Sequence, residues 1–142
     1  MFEVDLQVGK SVEQDILKLI QKKHPDAYII DGYCKEWDIF IPSLNIGVEV
    51  KSDKKSQYTG NIVIEIEFNG KPSALSTTKA SYWVFVLPSI IITTPDIIRN
   101  VISTLRPVRF IGKGDVAFKT AYLVKKELLI STRILTCDLF VQ

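Results

Sequence analysis

The stretch WDIFIPSLNIGVEVKS, residues 37–52, decides the fold of this chain. It holds two segments rich in Ile and Val, residue types that favour β-strands, and Pro42-Ser43 separates them. We therefore predict strands over 37–41 and 45–52. The connection between them is short, so the two strands are expected to pair side by side.

Three charged side chains on these strands carry the candidate chemistry. Side chains alternate along a strand, so Glu49 and Lys51 should project from one face while Val48 and Val50 enter the core. Asp38, on the preceding strand, can then lie beside Glu49. Two adjacent carboxylates repel unless a cation lies between them, and hard oxygen ligands of this kind suit Mg²⁺. Lys51 would lie next to that metal, where an ammonium can position water and stabilise charge on a phosphate.

These three residues alone leave a second interpretation open, a charged solvent face with cross-strand ion pairs. Glu13 bears on the choice because it falls on the apolar stripe of a helix predicted over 11–23. A carboxylate on a packing face needs a partner, and the helix could aim Glu13 at the same metal or at Lys51. Alternatively, Glu13 lies at the edge of the stripe and favours the helix N-terminus.

Further charged residues surround the same region. The strand predicted over 61–68 alternates strictly and places Glu65 and Glu67 on one face, so Glu65 is a possible accessory group. Basic residues could contact phosphates, although an ordinary exposed lysine is the simpler interpretation of each. The candidate nucleic-acid contacts are Lys54, Lys55, Lys79, Arg109 and Lys113.

The whole pattern predicts an α/β fold with a mixed central β-sheet flanked by helices. Thr94-Pro95 has the composition of a helix N-cap followed by its first residue. We predict helices over 11–23, 72–82 and 94–105, a loop over 52–60, and strands over 27–31, 37–41, 45–52, 61–68, 83–87, 90–93, 108–111 and 121–124.

Composition is that of an ordinary globular domain. The 142 residues fit one domain, and 46% of them are hydrophobic and 24% charged. No apolar run approaches the roughly 20 residues that span a bilayer, and the first ten residues lack a signal-peptide pattern. Cys34 and Cys137 are far apart in sequence, so we expect reduced thiols and a cytoplasmic location.

Charge is distributed unevenly along the chain. The net charge is only +2, yet residues 106–133 hold seven basic and two acidic side chains. Such a basic segment beside an acidic front half suits a protein that binds phosphates with one part and metal with another. A solvated basic surface without a partner would have the same composition.

The order of these elements and residues resembles the PD-(D/E)-x-K nuclease superfamily, which includes restriction enzymes, Holliday-junction resolvases and phage nucleases. The residues that carry the resemblance are Glu13, Asp38 and the segment 46–51, which ends in Glu-Val-Lys. The segments 59–65 and 70–80 resemble a phage-type branch of the superfamily. The likeness covers about residues 10–88, and the residues after Pro88 match no pattern of the family.

The resemblance implies a restriction-endonuclease-like core at about 10–88, followed by a basic part at about 89–142. It implies a nuclease that cuts DNA with Mg²⁺, or with Mn²⁺ in its place. Asp38, Glu49 and the Val50 carbonyl would hold the metal, Lys51 would lie at the attacking water, and Glu13 would be an accessory group. The basic segment would follow the DNA backbone, and a chain this small is expected to form a homodimer.

Two other functions fit the same scaffold. One is a nucleic-acid-binding module without catalysis. The other is a phage accessory protein whose acidic face binds a protein partner. In a phage-encoded protein, the location would be the cytoplasm of the host.

Overall fold

The computed structural model describes residues 9–32, 36–53, 56–87, 89–111 and 117–141. Four helices and nine strands lie within these ranges. The helices are α1 (Gly9–Gln21), α2 (Ser56–Thr59), α3 (Pro95–Ile102) and α4 (Lys126–Ser131). The strands are β1 (Tyr28–Ile29), β2 (Ile39–Ile41), β3 (Ile46–Ser52), β4 (Asn61–Phe68), β5 (Lys71–Pro72), β6 (Tyr82–Val86), β7 (Ile90–Thr93), β8 (Val108–Ile111) and β9 (Phe118–Lys125).

Strand β3 lies at the centre of a five-stranded mixed sheet with the order β1-β2-β3-β6-β7. β2 runs antiparallel to β3, with Ile39 opposite Val48. β6 runs parallel to β3, with Glu49 opposite Trp83. Asn45, a residue type that tolerates the left-handed region, adopts a φ of 53° in the β2–β3 turn. The predicted pairing of these two strands is confirmed.

Helix α1 covers one face of this sheet. Val12, Ile16 and Ile20 recur at helical spacing and are buried, so they form the packing stripe of the helix. Their partners are the core-facing residues of the sheet: Ile39, Ile41, Val48, Val50, Val84 and Val86. Val48 and Val50 therefore enter the core as predicted, which leaves the side chains of Glu49 and Lys51 on the opposite face of β3.

A second, four-stranded antiparallel sheet has the order β5-β4-β9-β8. Its longest pairing joins β4 to β9, from Asn61 opposite Lys125 to Phe68 opposite Lys119. A bulge between Glu65 and Glu67 interrupts this register. The strict alternation predicted along β4 is therefore wrong beyond the bulge, where Phe68 is exposed rather than buried.

The second sheet shares a hydrophobic core with the first sheet and with helices α3 and α4. Ile62 and Ile64 of β4 pack in this core with Trp83 and Phe85 of β6, and Ile98 of α3 joins them. The mixed sheet is thus flanked by helices, as predicted. The sequence patterns did not separate the strands into two sheets.

The helix predicted over 72–82 is wrong. This segment contains β5, a 3-10 turn at Ala74–Ser76, and irregular backbone before β6. Ala74 has a φ of 47°, which lies outside the right-handed α-helical region. The Thr78 hydroxyl accepts hydrogen bonds from the Ala80 backbone N–H and the Trp83 indole N–H, so local side-chain bonding replaces a helical ladder.

Other predictions are closer to the structure. The helix that begins at Thr94-Pro95 is confirmed as α3, and the Thr94 hydroxyl accepts from the Ile97 N–H. The loop predicted over 52–60 contains the short helix α2, and α4 was not predicted. Among the residues that the structure describes, no helix is long and apolar enough to cross a membrane.

Candidate active site

Asp38 and Glu49 lie next to each other where β2 begins against β3. The Asp38 backbone N–H donates to the Val48 carbonyl, which continues the β2–β3 ladder by one residue. The Asp38 side chain is only 4% exposed, and its Oδ2 accepts from the Val50 N–H at 2.8 Å. This bond fixes the Asp38 carboxyl beside the edge of β3, within hydrogen-bonding reach of the Glu49 carboxyl.

The pKa of Glu49 is raised above its ordinary value. Burial of the carboxyl is the main cause, and the neighbouring Asp38 raises the pKa further. Lys51 acts in the opposite direction, since its ammonium favours the ionised carboxylate. Two carboxyl groups in contact hold either a shared proton or a cation between them, so this pair is a site for positive charge.

Lys51 completes the group. Its Nζ lies 3.1 Å from Glu49 Oε2 and 5.4 Å from the centre of the Trp83 ring. The ring face attracts the ammonium, and the ion pair holds it beside the carboxyl. The side chain remains 38% exposed, so the ammonium is fixed in position yet accessible to an anion.

Trp37 and Gly47 shape the side of the site toward β2. The Trp37 ring lies flat over Gly47 and stacks on Phe40 at 5.3 Å between ring centres. A Cβ at position 47 would lie 2.2 Å from the ring, so only glycine fits beneath the indole. Gly47 is two residues before Glu49 on the same face of β3, and the indole therefore borders the carboxyl pair.

A groove of about 730 Å³ opens beside Lys51 and runs toward the second sheet. Lys51 and Asp53 border it at the end of β3, and Trp83 lies in the same wall. The opposite wall consists of side chains from β4, β8 and β9: Asn61, Val63, Glu65, Phe110, Lys119 and Leu123. Glu65 is held there by the Ser73 hydroxyl, which donates to Glu65 Oε2 at 2.8 Å.

Sequence reasoning missed several groove residues, among them Asp53, Phe110 and Leu123. Asp53 follows Glu49 and Lys51 at the same two-residue spacing, a signal that could have identified it. Its Oδ2 accepts from the Val63 N–H, which ties the end of β3 to β4. Lys119 enters the groove through the pairing of β9 with β4, and Phe110 through the pairing of β8 with β9. No local sequence pattern predicts either pairing.

The other predicted residues lie in varied places. Glu13 is half-buried beside the packing stripe of α1, and its part in the site stays a prediction. Lys79 Nζ lies 3.5 Å from Glu36 Oε1. Glu36 is two residues before Asp38, so Lys79 contacts the segment that carries Asp38. The Arg109 guanidinium stacks on Phe118 at 4.6 Å, whereas its neighbour Phe110 faces the groove. Lys54, Lys55 and Lys113 lie outside the described residues.

The residues present fit a hard divalent cation that keeps part of its water. Mg²⁺ in phosphoryl-transfer sites uses one or two carboxylates together with water and substrate phosphate oxygens. Asp38, Glu49 and the Val50 carbonyl match that donor set. In the described part of the chain, no group of three or more His, Cys, Asp or Glu side chains is placed to hold a metal ion.

Comparison with known proteins gives no further guide. No family model, no curated protein and no solved structure matches this chain.

Proposed function

We propose that the chain is a metal-dependent nuclease that hydrolyses DNA phosphodiester bonds. The observation that best supports this proposal is the contact between the Asp38 and Glu49 carboxyl groups, with the Lys51 ammonium 3.1 Å from Glu49. A carboxyl pair attracts a divalent cation, and an exposed ammonium beside it attracts a phosphate. That combination can activate water and stabilise charge on a phosphodiester.

We assign a role to each group of the site from its position. Bound Mg²⁺ or Mn²⁺ would supply a Lewis acid and lower the pKa of water. Asp38 is held rigidly by the Val50 N–H and positions one side of the cation site, while Glu49 supplies the other. Lys51 projects into the groove, where it orients the nucleophilic water and stabilises charge on the phosphate.

The element order supports a restriction-endonuclease-like core for this nuclease. α1, β2, β3 and β4 occur in the order expected from the resemblance, with Asp38 just before β2 and the Glu-x-Lys pair on β3. The helix expected before β6 is replaced by β5 and a 3-10 turn, which departs from the pattern of the superfamily. Hydrolysis of both strands of a duplex would require two sites, so a homodimer in solution is part of the proposal.

Cleavage assays test the proposal directly. The wild-type protein is incubated with linear duplex, single-stranded and branched DNA in Mg²⁺, in Mn²⁺ and in EDTA. We expect cutting that requires metal, and we expect Glu49→Gln to slow it at least ~10²-fold, because a ligand to the cation is lost. Glu127→Gln, the same change at an exposed position in α4, should cut at the wild-type rate.

Two results would contradict the nuclease. Binding of DNA that is independent of metal, without cutting of any substrate, would favour the nucleic-acid-binding module. Neither binding nor cutting would favour a role in protein interaction.

The raised pKa of Glu49 predicts a pH dependence of stability. The folded protein holds the Glu49 proton more tightly than the unfolded chain does, so protonation stabilises the fold at low pH. This contribution is lost as the pH rises through the raised pKa. Without divalent metal, the Tm of wild type should therefore fall relative to that of Glu49→Gln as the pH increases.

Metal should reverse this loss, because the cation takes the place of the proton. At neutral pH, Mn²⁺ at about 100 times its dissociation constant should raise the wild-type Tm by about 5–10 °C. The shift should shrink in acidic buffer and be absent in Glu49→Gln. A metal shift that is equal in both proteins would place the cation elsewhere.

A further inference from the structure

The groove beside Lys51 has two chemically different parts. Three described side chains give its far wall an apolar character: Val63, Phe110 and Leu123. Val63 and Leu123 are 37% and 38% exposed, although both are aliphatic residues at paired positions in the middle of a sheet. Apolar side chains left open in a concave site are typical of places where a ligand buries its own apolar surface.

Lysines border this apolar wall. Lys51 stands at the side of the carboxyl pair, and Lys119 lies on β9 four residues before Leu123. Asp53 and Glu65 also line the groove, so the two lysines are the points at which an anion can bind. An uncharged flat group can rest on the wall between them. A nucleotide has this combination of a flat base and a charged phosphate.

A large aromatic residue adjoins the groove lining in sequence. Tyr58 lies in α2, next to Thr59 of the groove lining, and its side chain is 88% exposed. Exposed aromatic side chains are the usual platforms on which unpaired bases stack. The bases of an intact duplex are stacked on each other, and they offer no free face to Tyr58 or Leu123.

We propose that this groove binds unpaired nucleotides, so that the substrate of the nuclease is DNA with a single-stranded segment. A base rests on Val63, Leu123 and Phe110, a phosphate contacts Lys119, and the next phosphate along the strand reaches Lys51 and the carboxyl pair. The inference rests on the proposed function for the cutting step, but binding in the groove is independent of it.

Binding is measured by fluorescence anisotropy in EDTA, so that no strand is cut. The probes are a labelled single-stranded oligonucleotide and a blunt duplex of the same length. We expect wild type to bind the single strand about tenfold more tightly, given the ~1–3 kcal/mol that stacking of one base contributes. Equal affinity for the two probes, or preference for the duplex, would overturn the inference.

Matched variants locate the binding in the groove. Leu123→Ser and Lys119→Ala should each weaken single-strand binding about five- to tenfold. Leu128→Ser changes a leucine of equal exposure on α4, and Lys18→Ala removes a lysine from the outer side of α1, so both should bind as wild type does. If Leu123→Ser and Leu128→Ser bind alike, the apolar wall is not the binding surface.

Failure of this inference can be told apart from failure of the proposed function. Single-strand binding that depends on Leu123, without metal-dependent cutting, would support the groove and reject the nuclease. Cutting of blunt duplex that Leu123→Ser and Lys119→Ala leave unchanged would support the nuclease and reject the groove.

Discussion

Replacement of Lys51 by Met should lower the rate of DNA cleavage about 10²- to 10³-fold, the usual loss when one group that stabilises transition-state charge is removed. Methionine keeps the length of the side chain and its packing on Trp83, but it lacks the ammonium that lies 3.1 Å from Glu49. The rate constant of the cleavage step should fall even with saturating metal and DNA, as measured by single-turnover kinetics.

Metal binding by Lys51→Met distinguishes a role in catalysis from a role in holding the cation. Lys51 is not a ligand in the proposed site, and its charge opposes a cation at Glu49. The variant should therefore bind Mn²⁺ at least as tightly as wild type, as followed by the metal-induced rise in Tm. Cleavage within a few-fold of wild type would contradict a role at the reacting phosphate, and Lys18→Ala serves as the control for loss of charge alone.

The charged-face interpretation makes a different prediction for the same variant. If Glu49 and Lys51 were only an ion pair along β3 at a solvent face, removal of the ammonium would change stability by little and no activity would exist to lose. The burial of Asp38 speaks against that interpretation. A carboxyl group that is 4% exposed and contacts a second carboxyl group lowers the free energy of unfolding. A carboxyl group on a solvated face would not have this cost.

Local patterns were sufficient to predict the parts of the site that lie on neighbouring strands. Glu49 and Lys51 share a face because a strand alternates, and Asp38 reaches Glu49 because four residues join β2 to β3. Each of these relations is set within about fifteen residues of sequence. The candidate cation site could therefore be predicted without knowledge of the rest of the fold.

The groove could not be predicted in the same way. Lys119 and Leu123 meet β4 through a pairing that spans almost sixty residues, for example Val63 with Leu123. Strand propensity says that both segments are extended, but it does not say which strands pair or that they form a second sheet. The bulge at Glu65 adds a shift of register that no alternation pattern contains.

The error over 72–82 has a local cause. Pro72 and the apolar residues that follow suggested a helix, yet Ser73, Thr77 and Thr78 offer the backbone competing partners. The Ser73 hydroxyl donates to Glu65, and Thr78 binds the Trp83 indole. Side chains that bond to the flanking strands β4 and β6 hold this segment in an irregular path, and the same bonds help to position Glu65 and Trp83 at the groove.

Two replacements of Asp38, by Ala and by Asn, should separate its contribution to stability from its contribution to activity. Asp38→Ala leaves the buried Val50 N–H without its acceptor, which costs about 1–3 kcal/mol and should lower Tm by about 3–10 °C. Asp38→Asn keeps an oxygen for that N–H, and it removes a negative charge next to Glu49. The asparagine variant should therefore retain most of the wild-type Tm measured without metal.

Both variants should nevertheless lose most of the metal-induced rise in Tm and the cleavage of DNA, because an amide oxygen lacks the negative charge of a carboxylate ligand and a methyl group offers no ligand atom. Thermal denaturation with and without Mn²⁺, beside the cleavage assay, distinguishes the two roles of one side chain. If Asp38→Asn still responds to Mn²⁺ as wild type does, Asp38 is a structural partner of the Val50 N–H alone, and the cation must be bound without it.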